Sequence, residues 1–312
     1  LDPHDPINLQ DTSGTSGFPT GATRSHRNLL LTAWFVGENQ GFTEHDRICS
    51  PVPLYHCFGC VIGVLACLVR GAALLVPSEY FDPLATLDCI ESERATALYG
   101  VPTMFIAVLE QPTFEGRDLT SLRTGVMAGA PCPVELMKKV IGDLGATEIT
   151  IAYGLTEVSP AATQTKTDEP IELRVTTVGE PIPGVEVQTF DPETGEPCAD
   201  GEQGEICIRG HNVMIGYYNM PEATADTIDD DGWLQSGDLG VRDPNGYVRI
   251  TGRIKDMIIR GGENIDPREI EEALYCHPSV EEAEVVGVPD DRFGEEVCAC
   301  VRLQNGNRVD EE

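Results

Sequence analysis

From Ile7 to about Ile151, short apolar runs alternate with longer stretches of helical periodicity, and this alternation restricts the fold more than any other feature of the chain. It is the pattern of a parallel sheet covered by helices on both faces. Strands are expected near Ile7-Leu9, Ile48-Val52, Ala72-Val76, Ala97-Tyr99, Gly125-Ala128 and Glu148-Ala152. Helices are expected in the gaps. Ser25 caps one whose apolar face runs through Leu29, Leu30, Ala33 and Trp34, Asp82-Pro83 opens a second, and a third runs from Pro133 to Gly145. The longest apolar run, Cys60 to Val69, is about half of the roughly 20 residues that a spanning helix needs, so it is expected as a buried helix.

After Pro160 the texture changes to short strands broken by Gly, Pro and Asn: Val185-Phe190, Gly204-Gly210 and Gly246-Gly252. From Asp256 come a strand or turn, a helix from Pro267 to about Cys276, and strands near Glu284-Val288 and Val297-Leu303. The 312 residues exceed what one core usually organises. The expected class is α/β: a large N-terminal domain of doubly wound sheets plus a β-rich subdomain (residues 1–253), then a truncated small α+β C-terminal domain (254–312) with a hinge near Lys255.

The formal charge of −31 leaves no surplus of Lys and Arg to displace counterions from a nucleic-acid backbone, which excludes that partner class. Only Lys138, Lys139, Lys166 and Lys255 are lysines, a balance that fits a high-salt habitat or a generally acidic proteome. Eleven cysteines scattered through apolar segments read as reduced thiols. Cys57 and Cys60 have a CxxC spacing, but no second close pair or matching His completes a zinc set.

Four runs carry chemistry. In Thr12-Ser13-Gly14-Thr15-Ser16-Gly17-Phe18-Pro19-Thr20-Gly21, glycines let backbone N–H groups close around phosphate oxygens and hydroxyls add donors; in isolation the segment reads as a flexible Ser/Gly linker. Ala152-Tyr153-Gly154-Leu155-Thr156-Glu157 follows a strand and offers an aromatic face for a purine, a hydroxyl for a phosphate and a carboxylate for magnesium; alone, it is equally a turn with a helix cap. In Ser236-Gly237-Asp238-Leu239-Gly240 an Asp in a tight Gly-flanked turn suits a ribose diol. Gly252-Arg253-Ile254-Lys255-Asp256 leads on to Gly261-Gly262, where the chain turns or approaches a ligand. Either of the last two, taken singly, is also an ordinary charged surface turn.

In this order and at these separations, the four runs resemble the adenylate-forming superfamily of acyl-CoA synthetases, nonribosomal-peptide adenylation domains and beetle luciferases. Pro53-Leu54-Tyr55-His56-Cys57-Phe58-Gly59, Leu98 to Phe105, Lys255 to Asn264 and Val286 to Asp291 look most like its medium-chain fatty acyl-CoA synthetase branch. The resemblance implies an acid–thiol ligase using ATP, Mg2+ and coenzyme A: a carboxylic acid is activated as an acyl-adenylate and then passed to the thiol. By motif position Thr12, Ser13, Gly14, Thr15, Ser16 and Gly17 hold the β- and γ-phosphates, Tyr153 and Gly154 face adenine with Gly129, Ala130 and Pro131 on its other edge, and Asp238 and Arg253 hold the ribose. Thr156 contacts the α-phosphate, Glu157 binds magnesium, Lys255 is the hinge, and Gly261 and Gly262 border the pantetheine tunnel. His56 sits near the acyl pocket, where a lone His reads as a packing or gating residue rather than an acid–base catalyst, and Val101, Met127 and Leu155 are candidate pocket walls whose core reading is at least as strong.

The resemblance further implies small-molecule partners; the short apolar runs argue against a transmembrane segment, free thiols and ATP fit a cytoplasmic setting or equally a mitochondrial matrix, and a homo-oligomer is one open arrangement. Alternatives are an adenylating relative acting on aryl acids, amino acids or a carrier protein, and a degenerate homologue that binds nucleotide without turnover. Thr20 stands where the pattern has Lys, and Asp11 where it has an aromatic or apolar residue. The pattern's N-terminal segment and distal lysine are missing, so these residues alone are expected to be inactive or feeble.

Overall fold

The computed structural model describes residues 1–12, 20–130, 132–260, 263–265, 267–277, 279–290 and 292–303. They fall into two compact units, Leu1–Gln188 with Cys207–Ser236 and Asp243–Arg249, and Thr189–Ile206 with Gly237–Arg242 and Ile250–Glu312.

The first unit opens on β1 (Pro6–Thr12), β2 (Thr20–Ser25) and α1 (His26–Asn39). Ser25 caps α1 through a reciprocal box: its hydroxyl accepts from Asn28 N at 3.2 Å, and Asn28 Oδ1 accepts from Ser25 N at 2.7 Å. Such a cap contributes about 1 kcal/mol. The Asn28 amide then donates to the carbonyls of His211 (2.6 Å) and Val213 (2.9 Å), fastening the start of the helix to a distant loop.

Next come β3 (Arg47–Cys49), α2 (Ala66–Arg70), β4 (Ala73–Leu75), α3 (Pro83–Glu93), β5 (Ala97–Gly100), α4 (Pro102–Leu109), β6 (Thr124–Met127), α5 (Val134–Asp143) and β7 (Glu148–Tyr153). The sheet order is β4-β3-β5-β6-β7, all parallel, extended antiparallel by two-residue strands at Thr163–Gln164 and Glu180–Pro181. Side chains alternate across it. Leu98 and Met127 enter a core with Leu87, Ile90, Phe105, Leu136 and Val140, whereas Ala97, Tyr99 and Val126 enter another with Val36, Phe42, Phe58 and Ile62. A strand of period two buried on both faces must read as a continuous apolar run, which is why these strands are legible and why helices cover both sides. Asp82 caps α3, accepting from Ala85 N at 2.9 Å, with Pro83 in the first turn as expected.

Three expectations are corrected. The Ile7-Leu9 strand is not part of the parallel sheet: β1 pairs antiparallel with β2, and Ile7 and Leu9 are 54% and 51% exposed because the alternate residues, Asn8 and Gln10, face inward. The Cys60-Val69 helix is present, but its first part, Phe58–Leu65, winds as a π-helix before continuing as α2. Ser236 to Gly240 lies inside a nine-residue strand, Leu234–Arg242, rather than in a turn, with Gly237 at φ 75° supplying the left-handed step that a non-glycine residue resists.

Val185–Phe190, Gln203–Gly210, Leu234–Arg242 and Val248–Arg253 are the strands of the β-rich segment. In the second unit, Glu263–Ile265, Ile258–Arg260, Gly294–Leu303 and Val280–Asp290 form an antiparallel sheet in that order, and the helix Pro267–Tyr275 packs on its last strand. This is the expected small α+β fold, with both C-terminal strands longer than read from sequence.

Candidate functional site

In the first unit the Tyr153-to-Glu157 run leaves the carboxyl end of β7. Tyr153 is half-buried. Gly154 lies so close under the Pro160 carbonyl that a Cβ would stand 2.1 Å from its oxygen, which explains the glycine physically. Thr156–Val158 is a single 3-10 turn, so the residues from the aromatic ring to the carboxylate follow one tight bend. Glu157 is 9% exposed; its Oε1 accepts from the Tyr217 hydroxyl at 2.8 Å, and its carbonyl accepts from Met214 N at 2.8 Å. Tyr217 belongs to a two-residue strand, Gly216–Tyr217, paired with β2 opposite Ala22. Burial first, and then Glu157, raises the Tyr217 pKa, so its hydroxyl keeps the proton that it donates.

The Pro53-to-Gly59 run meets the same turn. Cys57 Sγ is 3.4 Å from Thr156 Oγ1, and the Phe58 N–H donates to His56 Nδ1 at 3.1 Å, which leaves that nitrogen an acceptor and the imidazole neutral. His56 keeps exposed surface, yet partial desolvation of its ring, and then the Arg24 charge, lower its pKa. Burial raises the Cys57 pKa despite the opposing pull of Thr156 and Arg24, so this thiol stays protonated and inert.

Arg24 itself is fully buried on β2. Its Nε donates to Asn8 Oδ1 at 3.0 Å and its Nη2 to Gln10 Oε1 at 2.8 Å, and Gln10 Nε2 donates to the Tyr55 carbonyl. Desolvation lowers its pKa, but an arginine starts so high that it remains a cation.

Of the other expected residues in this unit, Val101 and Leu155 are half-buried, and Met127 is wholly enclosed in the core beside α5. Gly129 has φ 84°, with a would-be Cβ 3.2 Å from Val101 Cγ1, and it is exposed together with Ala130. Thr12 closes β1, its hydroxyl 2.7 Å from that of Thr20, which is itself buried. Ser13, Gly14, Thr15, Ser16, Gly17, Pro131, Gly261 and Gly262 lie outside the described residues.

In the second unit Asp238 is buried and accepts from Arg253 Nε at 2.9 Å, while the exposed guanidinium of Arg253 reaches solvent. Burial, and then the neighbouring Asp238 charge, raise the Glu205 pKa; Glu205 also accepts from Gly237 N at 2.9 Å. Lys255 is exposed on the turn after Arg253, which Ile254 N anchors to the Gly237 carbonyl at 2.9 Å.

Among the described residues no three His, Cys, Asp or Glu side chains gather as a metal site, and no helix is long and apolar enough to cross a membrane. Sequence reasoning missed Arg24 and Tyr217, and it names Cys57 only within the Pro53-to-Gly59 run and as half of a CxxC spacing, with no site role. The first had a signal, because Arg24 shares the inward parity of Thr20 and Ala22 on β2; the contacts of the other two join residues 60 and 99 positions apart.

The chain is 53% identical over 309 residues to YngI of Bacillus subtilis strain 168, which carries a provisional acyl-CoA synthetase name; the match spans 99% of this chain and 56% of that protein. It is 45% identical to the mitochondrial medium-chain acyl-CoA ligase ACSF2 of Bos taurus, across 98% of this chain and 50% of the other. The chain thus spans about half the length of these relatives. The ATP-bound crystal structure of MatB from Rhodopseudomonas palustris superposes with a TM-score of 0.92 at 35% identity, over 99% of this chain and 60% of that one. The AMP-binding enzyme C-terminal domain matches residues 269–312 and the AMP-binding enzyme family matches residues 1–218, so the chain belongs to the AMP-binding enzyme family.

Proposed function

We propose that this chain carries the adenylating centre of an ATP-dependent acid–CoA ligase acting on a medium-chain aliphatic acid. The observation that carries the reading is the direct meeting of two runs far apart in sequence: His56-Cys57 touches the Thr156-Glu157 turn through the 3.4 Å thiol–hydroxyl contact. An enzyme that joins a carboxylate to a nucleotide needs its acid and phosphate subsites to adjoin, because holding the two reactants side by side supplies much of the advantage of pre-orientation.

In the first half-reaction a carboxylate oxygen attacks the α-phosphorus of ATP, the bond to the bridging oxygen breaks, and pyrophosphate leaves. In the second, the coenzyme A thiolate attacks the acyl carbon and AMP departs. Thr156 donates to the α-phosphate, Tyr153 and Gly154 take adenine against Gly129, Ala130 and Pro131, and the Thr12 to Gly17 loop takes the outer phosphates. Asp238 and Arg253 take the ribose, Gly261 and Gly262 flank the pantetheine arm, and residues 254–312 turn about Lys255 relative to 1–253 between the two steps.

Magnesium fits the donor set: the enclosed carboxylate of Glu157, with no full protein cage around it among the described residues, matches the usual arrangement in which one or two carboxylates and substrate phosphates share the ion. Bound there, it would neutralise charge developing on the phosphate oxygens. Glu157 holds its side-chain direction through Tyr217 before any ligand arrives. A cytoplasmic or mitochondrial-matrix setting follows from the need for ATP and coenzyme A.

Acid-dependent ATP–pyrophosphate exchange by the full-length protein, over aliphatic, aryl and amino acids, tests the reading, with thiol consumption after adding coenzyme A reporting the second step. Exchange with a medium-chain aliphatic acid is expected. Exchange confined to aryl or amino acids moves the substrate class, and exchange with none reduces the protein to a nucleotide-binding homologue.

A further inference from the structure

Arg24 is wholly enclosed and takes no part in the chemistry just described. A buried cation without a directly paired carboxylate is strongly unfavourable, so its retention calls for a reason. The fold holds it with neutral acceptors, the side-chain oxygens of Asn8 and Gln10, and Gln10 ties the same network to the Tyr55 carbonyl, one residue before His56. Its Nη1 has no hydrogen-bond partner among the described residues. The titratable groups within reach of its charge are His56, Cys57, Cys60 and Glu157. Only Glu157 among these is a carboxylate, and none adds a second positive charge.

The proposed acid is an anion, and it enters a chain of net charge −31 in which Glu157 directly follows the Thr156 that touches Cys57. His56 is held neutral, and Val101, Met127 and Leu155 are apolar, so the acid-side residues named from sequence supply no attraction for a carboxylate. A fixed charge behind them, in a low-dielectric interior, attracts through space with no need of contact.

We propose that Arg24 is a specificity-determining residue of the acid subsite: its buried positive charge, set behind Tyr55–Cys57, draws the substrate carboxylate in beside His56 and offsets repulsion from Glu157. The inference rests on the acid–CoA ligase reading. It makes binding of the acid depend on the substrate's charge, whereas binding of a neutral molecule of the same length does not feel Arg24.

The test uses the full-length protein and acid-dependent ATP–pyrophosphate exchange, with Arg24→Gln, Arg24→Lys and Asn8→Asp. Arg24→Gln is expected to raise KM for the acid about tenfold, leave KM for ATP within about twofold, and leave unchanged the inhibition constant of a primary alcohol of the same chain length. Arg24→Lys retains most of the acid affinity. Asn8→Asp sets a carboxylate against the guanidinium, cancels its field with the core still filled, and raises KM for the acid as Arg24→Gln does; it carries the test if Arg24→Gln shows no cooperative melting. Equal shifts for acid and ATP, a parallel rise for the alcohol, or a fall in kcat with KM unchanged overturns the inference in favour of a purely structural arginine. Exchange that is present and unmoved by all three substitutions overturns the inference alone, and absence of exchange in the wild type overturns the ligase reading together with it.

Discussion

Replacing Tyr217 by Phe removes one oxygen and leaves the ring in place, so it isolates the bond that fixes Glu157. The hydroxyl donates to Glu157 Oε1 at 2.8 Å, and Glu157 is only 9% exposed, so water cannot take over the lost bond without entering the site. A hydrogen bond to a charged group contributes about 1.5 to 3 kcal/mol, against about 0.5 to 1.5 for a neutral pair. Tyr217→Phe should therefore lower unfolding free energy by about 1.5 to 3 kcal/mol, with little cavity penalty because the ring remains. With Glu157→Gln in the background the acceptor is kept and the charge is gone, so the same substitution should cost about 0.5 to 1.5 kcal/mol. The difference, about 1 to 1.5 kcal/mol, is the coupling that a double-mutant cycle reads. Urea unfolding followed by the fluorescence of Trp34 and Trp233, both in the same unit, measures all four corners. Additivity within about 0.5 kcal/mol would refute the reasoning, because it would mean that the hydroxyl does not feel the carboxylate charge.

Asp46 is 6% exposed; burial alone would raise its pKa, but hydrogen bonds from Thr43, Thr96 and Arg123 outweigh this and hold it below the usual carboxylate value. Its contribution to stability is thus full above the unfolded value of about 3.9 and lost as pH falls through the lower folded value, so Asp46→Asn should lower stability at pH 7 and flatten the acid limb of a stability–pH curve. Thr20→Lys should raise acid-dependent exchange about tenfold to a hundredfold by restoring a charge-assisted contact to pyrophosphate, and an unchanged or lower rate would rule that out. Gly154→Ala should cost about 3 kcal/mol, because its Cβ meets backbone at 2.1 Å. Gly142→Ala, in α5 with nothing within 4 Å, should instead stabilise by about 0.8 kcal/mol, and thermal melts of both variants check the contrast.

How much of this was visible in the sequence depended on whether the deciding contact was local. β5, β6 and β7 are legible because burial on both faces keeps their patterns mostly apolar, with Thr124 and Thr150 as buried exceptions, and the caps at Ser25 and Asp82 are legible because cap and helix are neighbours. β1 was misassigned because Ile7 and Leu9 look like core when the residues that matter are Asn8 and Gln10, whose task is set by Arg24 fourteen or more positions away. The motif at Asp238 was placed in a turn because its flanking glycines suggested one, whereas Gly237 takes its left-handed step within a strand. The motifs name Thr156, Glu157 and Cys57 but neither the contact of Cys57 with Thr156 nor Tyr217, the partner of Glu157, because only the completed fold brings these together.

The two bonds from the Asn28 amide to the carbonyls of His211 and Val213 impose an order on events during synthesis. The helix that begins at His26 cannot complete its own N-terminal network until about 185 further residues have emerged, roughly 10 to 40 s at ordinary elongation rates. The strand carrying Tyr217 arrives just after, so Glu157 also waits for its partner, for 60 residues or roughly 3 to 12 s. A chain released near residue 200 would possess the whole parallel sheet and every residue of the Tyr153-to-Glu157 run, and still lack the Tyr217 hydroxyl that orients its carboxylate. For this protein, fold and site are separate milestones on the ribosome, the second reached only when a loop more than 180 residues downstream returns to the first helix.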